Sequence, residues 1–90
     1  GLGPLGLMEA DPLLIQAEQK LIDQADELIV LIDSSKFQRR SSLILCPLDR
    51  ITTVITDNGI LDEDRQMLET AGVHLIVAEK TAKEQVPDTA

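Results

Sequence analysis

The side chains best suited to chemistry follow two apolar runs of the sequence. Asp33, Ser35 and Lys36 come after an aliphatic run of five residues, and Asp57 comes after a β-branched run. An ammonium group beside hydroxyl donors suits a phosphate or carboxylate ligand. A pair of carboxylates suits the hydroxyls of a polyol or an acid–base reaction. The sequence therefore predicts an anion or polyol site, provided that the fold brings the two segments together.

A parallel sheet is the arrangement that would do so, because ligands bind outside the carboxyl ends of parallel strands. Four apolar runs are typical of strands: 28–32, 42–46, 51–56 and 73–77. The run 28–32 has no polar residue, which predicts a strand buried on both faces. Helices are predicted from the N-cap Asp11 to about Gln24, and from the N-cap Asp62 to about Ala71. We expect an α/β fold with a mostly parallel sheet of about four strands, flanked by helices.

The first predicted helix has one apolar face with which it could lie on a sheet. Its apolar residues recur at Leu14, Ala17, Leu21 and Ala25, with Ile15 and Ile22 beside them, and charged or amide side chains occupy the other face. The second predicted helix ends at Gly72, which is expected to adopt a left-handed conformation as a C-terminal cap.

Each candidate site residue also has a structural explanation that the sequence leaves open. The basic segment 36–40 could be a solvated loop without a ligand, and Asp33 and Asp57 could each cap a turn. Cys46 stands in an apolar run, as a buried structural thiol does. His74 alternates with aliphatic residues in a predicted strand, which favours a surface or hydrogen-bonded histidine over a metal ligand. No metal site and no cofactor are predicted.

Composition narrows the class of function. The 90-residue chain has a formal net charge of −8. That charge argues against nucleic-acid contact by this segment, because phosphate contacts need a basic face. Phe37 is the only aromatic residue, so platforms for base stacking are missing too. No apolar run reaches the length of a membrane span, and the single Cys46 fits a reducing, cytoplasmic setting.

The two ends of the sequence are predicted to be less regular than its middle. Residues 1–10 are rich in glycine and interrupted by Pro4, which predicts an irregular lead-in. Residues 80–90 are polar and contain Pro87, which predicts a flexible tail. Residues 11–79 are therefore expected to form the folded portion.

Two stretches of the sequence have a recognisable pattern. The first is 25–37, which ends in the segment that carries Lys36, and the second is 48–51 followed by 54–57. Both resemble signatures of the DeoR family of bacterial sugar-responsive transcriptional repressors. The closing helix and strand have the order and spacing of that family, and the resemblance covers about residues 6 to 78.

The resemblance implies the carboxy-terminal portion of an effector-sensing domain that has no catalytic activity. Its fold is expected to be similar to that of ribose-phosphate isomerases and coenzyme A transferases. The ligand is expected to be a phosphorylated sugar or a related anionic metabolite, and its binding to alter operator binding by a helix-turn-helix domain outside this sequence. By position, Lys36 would contact the anion, and Asp33, Ser35 and Asp57 would line the same pocket. The family commonly has glycine where this chain has Gln38, which puts the ligand class in question.

Two other functions stay open at this point. The chain could be a fragment of a sugar-phosphate isomerase-like enzyme, with Asp33 or Asp57 as the base and Lys36 as the electrophile. It could also act chiefly as an oligomerisation module, because leucine-rich strands favour association. Whether the chain is a sensor or an oligomerisation module, we expect the protein to form a homo-oligomer.

Overall fold

The structure is a computed structural model that describes residues 1–38 and 43–79, except for the side chain of Gln38. The loop predicted at 39–42 and the tail predicted at 80–90 lie outside the described residues. The elements, in chain order, are strands β1 (Leu2–Gly3) and β2 (Gly6–Glu9), helix α1 (Pro12–Gln24), strands β3 (Ile29–Leu31), β4 (Leu43–Cys46) and β5 (Thr53–Asp57), helix α2 (Asp62–Thr70) and strand β6 (His74–Ala78). Short 3₁₀ helices, Ser34–Gln38 and Leu48–Arg50, follow β3 and β4.

Three of the predicted strands form a parallel sheet in the order β3-β5-β6. Val30 lies beside Val54, and Val54 lies beside Leu75, so equivalent residues of the three strands form rows across the sheet. Helix α2 connects β5 to β6, as a helix usually does in the crossover between two parallel strands. The predicted α/β class is confirmed, and the carboxyl ends of β3 and β5 are adjacent.

The predicted strand at 42–46, which corresponds to β4, belongs to a different sheet. Strand β4 pairs antiparallel with β2, which pairs antiparallel with β1. The prediction of about four strands in one mostly parallel sheet is therefore wrong for β4. Its partner lies in the segment 1–10, which was expected to be irregular and contains β1 and β2 instead. Glycine and proline mark a loop locally, but here the pairing with a distant strand decides the conformation. The predicted domain boundaries stay a prediction.

Gly6 makes the contact between β2 and β4 possible. Its φ is +123°, a conformation that side chains rarely adopt. A Cβ at this position would also collide with the carbonyl oxygen of Cys46. The glycine that suggested a loop is therefore the residue that allows two strands to approach closely.

One apolar core joins the two sheets and helix α2. Val30 and Val54 lie on the inward face of the parallel sheet, and Leu68 from α2 is fully buried in the same cluster. Phe37 and Leu2 bring the segment after β3 and the antiparallel sheet into that core. Apart from Phe37 and Cys46, the core residues are aliphatic, as the composition requires.

Strand β3 is not buried on both faces, contrary to the prediction from its aliphatic sequence. Val30 is buried, whereas Ile29 and Leu31 on either side of it are exposed. The reason is that α2 lies on the inward side and that α1 contacts β2 and β4. Neither of the helices in the described part of the chain covers the outward face.

Helix α1 has the predicted limits, but it packs through a different face. Asp11 caps it by accepting a hydrogen bond from the backbone N–H of Leu13 at 2.9 Å, as predicted. The buried residue is Ile22, and Ile15, which lies on the same side of the helix, is partly buried. Leu14, Ala17 and Leu21 of the predicted stripe are exposed, because aliphatic residues occur on two sides of this helix and only the packing selects between them.

Arg50 links the C-terminal end of α1 to the 3₁₀ helix after β4 through hydrogen bonds. One nitrogen of its guanidinium group donates hydrogen bonds to the carbonyl oxygens of Ile22 at 2.6 Å and Ala25 at 2.5 Å. Ala25 is the C-cap residue of the helix, and Ile22 O also accepts the backbone N–H of Ala25 at 3.2 Å. The last carbonyls of a helix lack the partners that the next turn would supply. The arginine therefore satisfies the C-terminus of α1.

Helix α2 begins one residue earlier than its sequence signal indicated. Leu61 occupies the N-cap position without a side-chain hydrogen bond, and Asp62 is the first helical residue. The prediction of Asp62 as the N-cap is therefore wrong, although its charge still lies favourably in the first turn. Gly72 follows the helix with a φ of +79°, which confirms the predicted left-handed cap.

Candidate functional site

The two polar segments predicted to meet are joined by the carboxylate of Asp57. Its Oδ2 accepts a hydrogen bond from the backbone N–H of Ser34 at 2.9 Å. Its Oδ1 accepts a hydrogen bond from the backbone N–H of Gly59 at 2.8 Å. The parallel pairing of β3 with β5 brings Ser34 and Asp57 to the same edge of the sheet. Asp57 therefore links the segment after β3 to the turn after β5 through two hydrogen bonds.

Asp33 is fixed by the residue two positions along the chain. Its Oδ1 accepts hydrogen bonds from the backbone N–H of Ser35, at 2.9 Å, and from the hydroxyl of Ser35. The hydroxyl hydrogen bond is the main cause that lowers the pKa of Asp33, and the backbone bond and the nearby charge of Lys36 act in the same direction. Partial desolvation and the charge of Asp57 oppose them. Asp33 is therefore a carboxylate at neutral pH.

Lys36 lies in the 3₁₀ helix between this turn and the core. Its backbone N–H donates to the carbonyl oxygen of Asp33 at 3.1 Å. The next residue, Phe37, is buried and anchors the segment in the apolar core. The hydrogen bond to Asp33 and the buried Phe37 thus hold the backbone of Lys36 from both sides. Lys36 itself is half-buried, so solvent still reaches the residue.

The sequence indicated Ser34 as a hydroxyl donor and Gly59 as part of a turn, but it did not predict that the two lie against each other. A Cβ at Gly59 would come within 2.6 Å of Ser34 Oγ and 2.9 Å of Asp57 Oδ1. The turn at 57–59 and the segment after β3 are therefore in close contact. The sequence did show a turn there, but it gave no signal that the turn would touch a serine so far away along the chain.

The arrangement provides a cation, a hydroxyl group and two carboxylates at one edge of the parallel sheet. Both oxygens of Asp57 already accept backbone hydrogen bonds, so its turn-capping role, which the sequence left open, is present. Asp33 likewise caps its own turn. Lys36 carries the donor group that an anion needs, and the hydroxyl oxygen of Ser35, which donates its proton to Asp33, can accept a hydrogen bond from a sugar hydroxyl.

Other residues singled out in the sequence do not contribute to this site. Cys46 is buried, and burial is the main cause that raises the pKa of its thiol, as expected for a structural cysteine. Among the residues that the structure describes, no group of His, Cys, Asp or Glu side chains is arranged to hold a metal ion. Nor does the described part of the chain contain a helix long and apolar enough to cross a membrane.

Comparison with known proteins decides the family. The family model described as the DeoR C terminal sensor domain matches residues 1–58. The chain belongs to this family. The resemblance to DeoR-type regulators seen in the sequence is thereby confirmed.

The chain is also similar to curated proteins that are named as transcriptional regulators. The chain is 37% identical over 76 residues to the HTH-type transcriptional regulator UlaR of Shigella dysenteriae serotype 1 (strain Sd197). The proteins of the same name from Escherichia coli O1:K1 / APEC and Escherichia coli (strain K12 / DH10B) are also 37% identical over 76 residues. In each case the match covers 84% of this chain and 30% of the relative, so the chain spans less than a third of their length. No solved structure matches the chain.

These relatives are transcriptional regulators and not enzymes, which confirms the prediction that the DeoR-type domain is not catalytic. The isomerase alternative therefore loses its support. The chain is a DeoR-family sensor domain segment.

Proposed function

We propose that this sensor segment binds a phosphorylated sugar or a related anionic metabolite at the carboxyl edge of its parallel sheet. The observation that supports the proposal is the hydrogen bond from the backbone N–H of Ser34 to Asp57 Oδ2. This bond holds the segment with Ser35 and Lys36 against the turn after β5. Cation, hydroxyl and carboxylate groups are thus gathered at the place where open parallel sheets bind ligands.

The charges of the site suggest how the ligand would be oriented. The ammonium group of Lys36 would pair with the phosphate, and the hydroxyl oxygen of Ser35, whose proton is donated to Asp33, would accept a hydrogen bond from a sugar hydroxyl. Asp33 is ionised and would repel a phosphate, so it suits a sugar hydroxyl, from which a carboxylate accepts. Asp57 would act through the backbone that it holds in place. In a chain of net charge −8, a local cation is needed to attract an anion.

We further propose that ligand binding shifts the population of two arrangements of the complete regulator. A ligand that bridges the segment after β3 and the turn after β5 would favour the arrangement in which the two are closest. That preference would be coupled to operator binding by a DNA-binding domain outside residues 1–90. The proposal includes a homo-oligomeric, cytoplasmic protein whose complete sensor domain has a fold similar to ribose-phosphate isomerases and coenzyme A transferases.

Thermal unfolding of the chain with a panel of sugar phosphates tests the ligand proposal. A compound present at a hundred times its dissociation constant should stabilise the chain by about 2.7 kcal/mol. The matching sugar without phosphate should give a much smaller shift. Lys36→Ala should abolish the shift, whereas Lys20→Ala, which removes an exposed lysine of α1, should leave it unchanged.

Two results would contradict the proposal. One is a shift of equal size in Lys36→Ala and in the unsubstituted chain, which would place the anion elsewhere. The other is the absence of a shift with every sugar phosphate in the complete regulator as well as in the chain of 90 residues. The mass of the complete regulator in solution, measured by light scattering, tests the proposed homo-oligomer.

A further inference from the structure

The turn after β5 places an asparagine directly before a glycine at the surface. Asn58 and Gly59 are both exposed. The turn is closed by a hydrogen bond from the backbone N–H of Ile60 to the carbonyl oxygen of Asp57 at 3.3 Å. A glycine after an asparagine leaves the next backbone nitrogen open to the side-chain amide, because glycine has no Cβ to shield it. The pair is therefore set up for a reaction within the chain.

Space, rather than backbone conformation, requires the glycine at this position. Gly59 does not have a positive φ, so a residue with a side chain could adopt its backbone conformation. A Cβ would, however, lie 2.6 Å from Ser34 Oγ and 2.9 Å from Asp57 Oδ1. The contact between the turn and the segment after β3 therefore excludes a side chain, and it leaves the nitrogen of Gly59 unshielded.

One hydrogen bond opposes the reaction. The backbone N–H of Gly59 donates to Asp57 Oδ1 at 2.8 Å. The nitrogen can attack the side-chain amide of Asn58 only after it has lost this proton, and a carboxylate acceptor favours the protonated form. The bond also fixes the orientation of the Gly59 amide relative to that side chain. Attack therefore requires a local opening of the turn in which this bond breaks.

We propose that Asn58 is a site of spontaneous deamidation through a succinimide, and that the hydrogen bond from Gly59 to Asp57 protects it. The nitrogen of Gly59 loses its proton to water or hydroxide and forms a bond to Cγ of Asn58. The bond from Cγ to the amide nitrogen breaks, and ammonia leaves with the proton. Water then opens the ring: hydrolysis at the main-chain carbonyl gives isoaspartate, and hydrolysis at Cγ gives aspartate. Water is the only co-reactant.

The isoaspartyl product does not fit the contact that the turn makes. Its main chain runs through the former side chain, so a methylene group is inserted before Gly59 and a free carboxylate branches from the backbone. A Cβ on Gly59 would already collide with Ser34 Oγ, so the turn has no spare room on that side. The product should thus separate the turn from the segment after β3. The loss of anion binding that would follow rests on the proposed function, whereas the modification itself does not.

Mass spectrometry of the chain during incubation at mildly alkaline pH tests the proposal. Asn58 is the only asparagine in the sequence. Glutamine reacts more slowly because its side chain must close a larger ring, so early conversion of an amide to an acid reports on Asn58. An endoprotease that cleaves before aspartate but not before isoaspartate distinguishes the two products. We expect both products, formed more slowly in the folded chain than in urea, and no early conversion in the control Asn58→Gln.

Asp57→Ala tests the protection. Each variant's rate is divided by its rate in urea, which removes the effect of the substitution on the unfolded chain. We expect this ratio to rise about fivefold, which corresponds to about 1 kcal/mol for the lost hydrogen bond at a factor of ten for each 1.4 kcal/mol. Gly6→Ala destabilises the chain at its contact with Cys46, away from the turn, and should leave the ratio unchanged.

Four results would overturn the proposal. The first two are an absence of conversion at Asn58 and equal rates in the folded and the urea-unfolded chain. A slower reaction in Asp57→Ala would show that the carboxylate acts as a base instead of protecting the amide. Equal acceleration in Gly6→Ala would show that the reaction follows global unfolding. None of these measurements involves a sugar phosphate, so failure here is distinguishable from failure of the ligand proposal.

Hydrogen exchange measures the structural consequence. The Ser34 amide, which donates to Asp57, should exchange faster in the isoaspartyl fraction than in the unmodified chain. Asn58→Asp is the matched control, because it carries the same added charge on an ordinary backbone, and its Ser34 amide should stay protected. Equal exchange in the isoaspartyl fraction and in Asn58→Asp would contradict the separation of the turn from Ser34.

Discussion

Replacement of Asp57 by alanine is the sharpest test of how the candidate site is built. The change removes the acceptors for the backbone N–H groups of Ser34 and Gly59, which lie 2.9 Å and 2.8 Å from the carboxylate oxygens. Hydrogen bonds to a charged group contribute about 1.5–3 kcal/mol each when they are shielded from water. Asp57 is only half-buried, so water can replace part of each bond. We therefore expect a loss of about 2 kcal/mol in the free energy of unfolding for the pair together.

Asp57→Asn refines the same prediction. The amide keeps one oxygen that can accept, while its nitrogen cannot accept from an N–H group. One of the two hydrogen bonds should therefore survive, and the loss should be about 1 kcal/mol, or half that of Asp57→Ala. Asp26→Asn is the matched control, because it removes the same charge at an exposed position.

Urea unfolding followed by far-ultraviolet circular dichroism measures these losses. The chain has no tryptophan or tyrosine, so intrinsic fluorescence gives no useful signal. Hydrogen exchange of the Ser34 and Gly59 amides should be faster in the Asp57 variants and unchanged in Asp26→Asn. The linking role of Asp57 would be refuted if the free energy of unfolding of Asp57→Ala stayed within about 0.5 kcal/mol of that of the unsubstituted chain, which is the range of ordinary surface substitutions. Equal effects of Asp57→Asn and Asp26→Asn would refute it as well.

Two further predictions concern the acid range and the antiparallel sheet. Because the fold lowers the pKa of Asp33, this group stabilises the chain above the ordinary aspartate pKa, and the contribution is lost as the pH falls through the folded-state value. Urea unfolding at a series of pH values should thus show a smaller loss of stability in acid for Asp33→Asn than for the unsubstituted chain; an identical pH dependence would contradict the assignment. Gly6→Ala should destabilise the chain by more than about 1 kcal/mol, since the methyl group meets the carbonyl oxygen of Cys46 at a positive φ. Gly3→Ala is its control, where a Cβ would make only an ordinary 3.4 Å contact with Met8, and equal stabilities of the two variants would show that β2 can approach β4 without Gly6.

Local patterns were sufficient where neighbouring residues decide the structure. Asp11 followed by Pro12 predicted the start of α1, and Gly72 predicted the end of α2, because caps depend on a few adjacent residues. The aliphatic runs predicted where strands would lie. The prediction that Asp33 and Asp57 share one sheet edge also followed from local signals, once the two strands were assumed to be parallel neighbours.

Patterns were insufficient where a distant partner decides the structure. The segment 1–10 has the composition of a loop, yet it forms strands because β4 pairs with it. Helix α1 has aliphatic residues on two faces, and only its contacts with β2 and β4 select the face of Ile22. An aliphatic strand predicted to be buried on both faces is covered on one.

The sequence by itself determined the α/β class, the positions of both helices and of three parallel strands, and the family. Each of these depends on periodicity, caps or short signatures, which are properties of neighbouring residues. Only the tertiary structure decided that Asp57 holds the backbone of Ser34, that Gly59 must lack a side chain, and that Leu31 faces outward. These features depend on which strands are neighbours and which face a helix covers. Such contacts join residues that are far apart along the chain, so no local pattern encodes them.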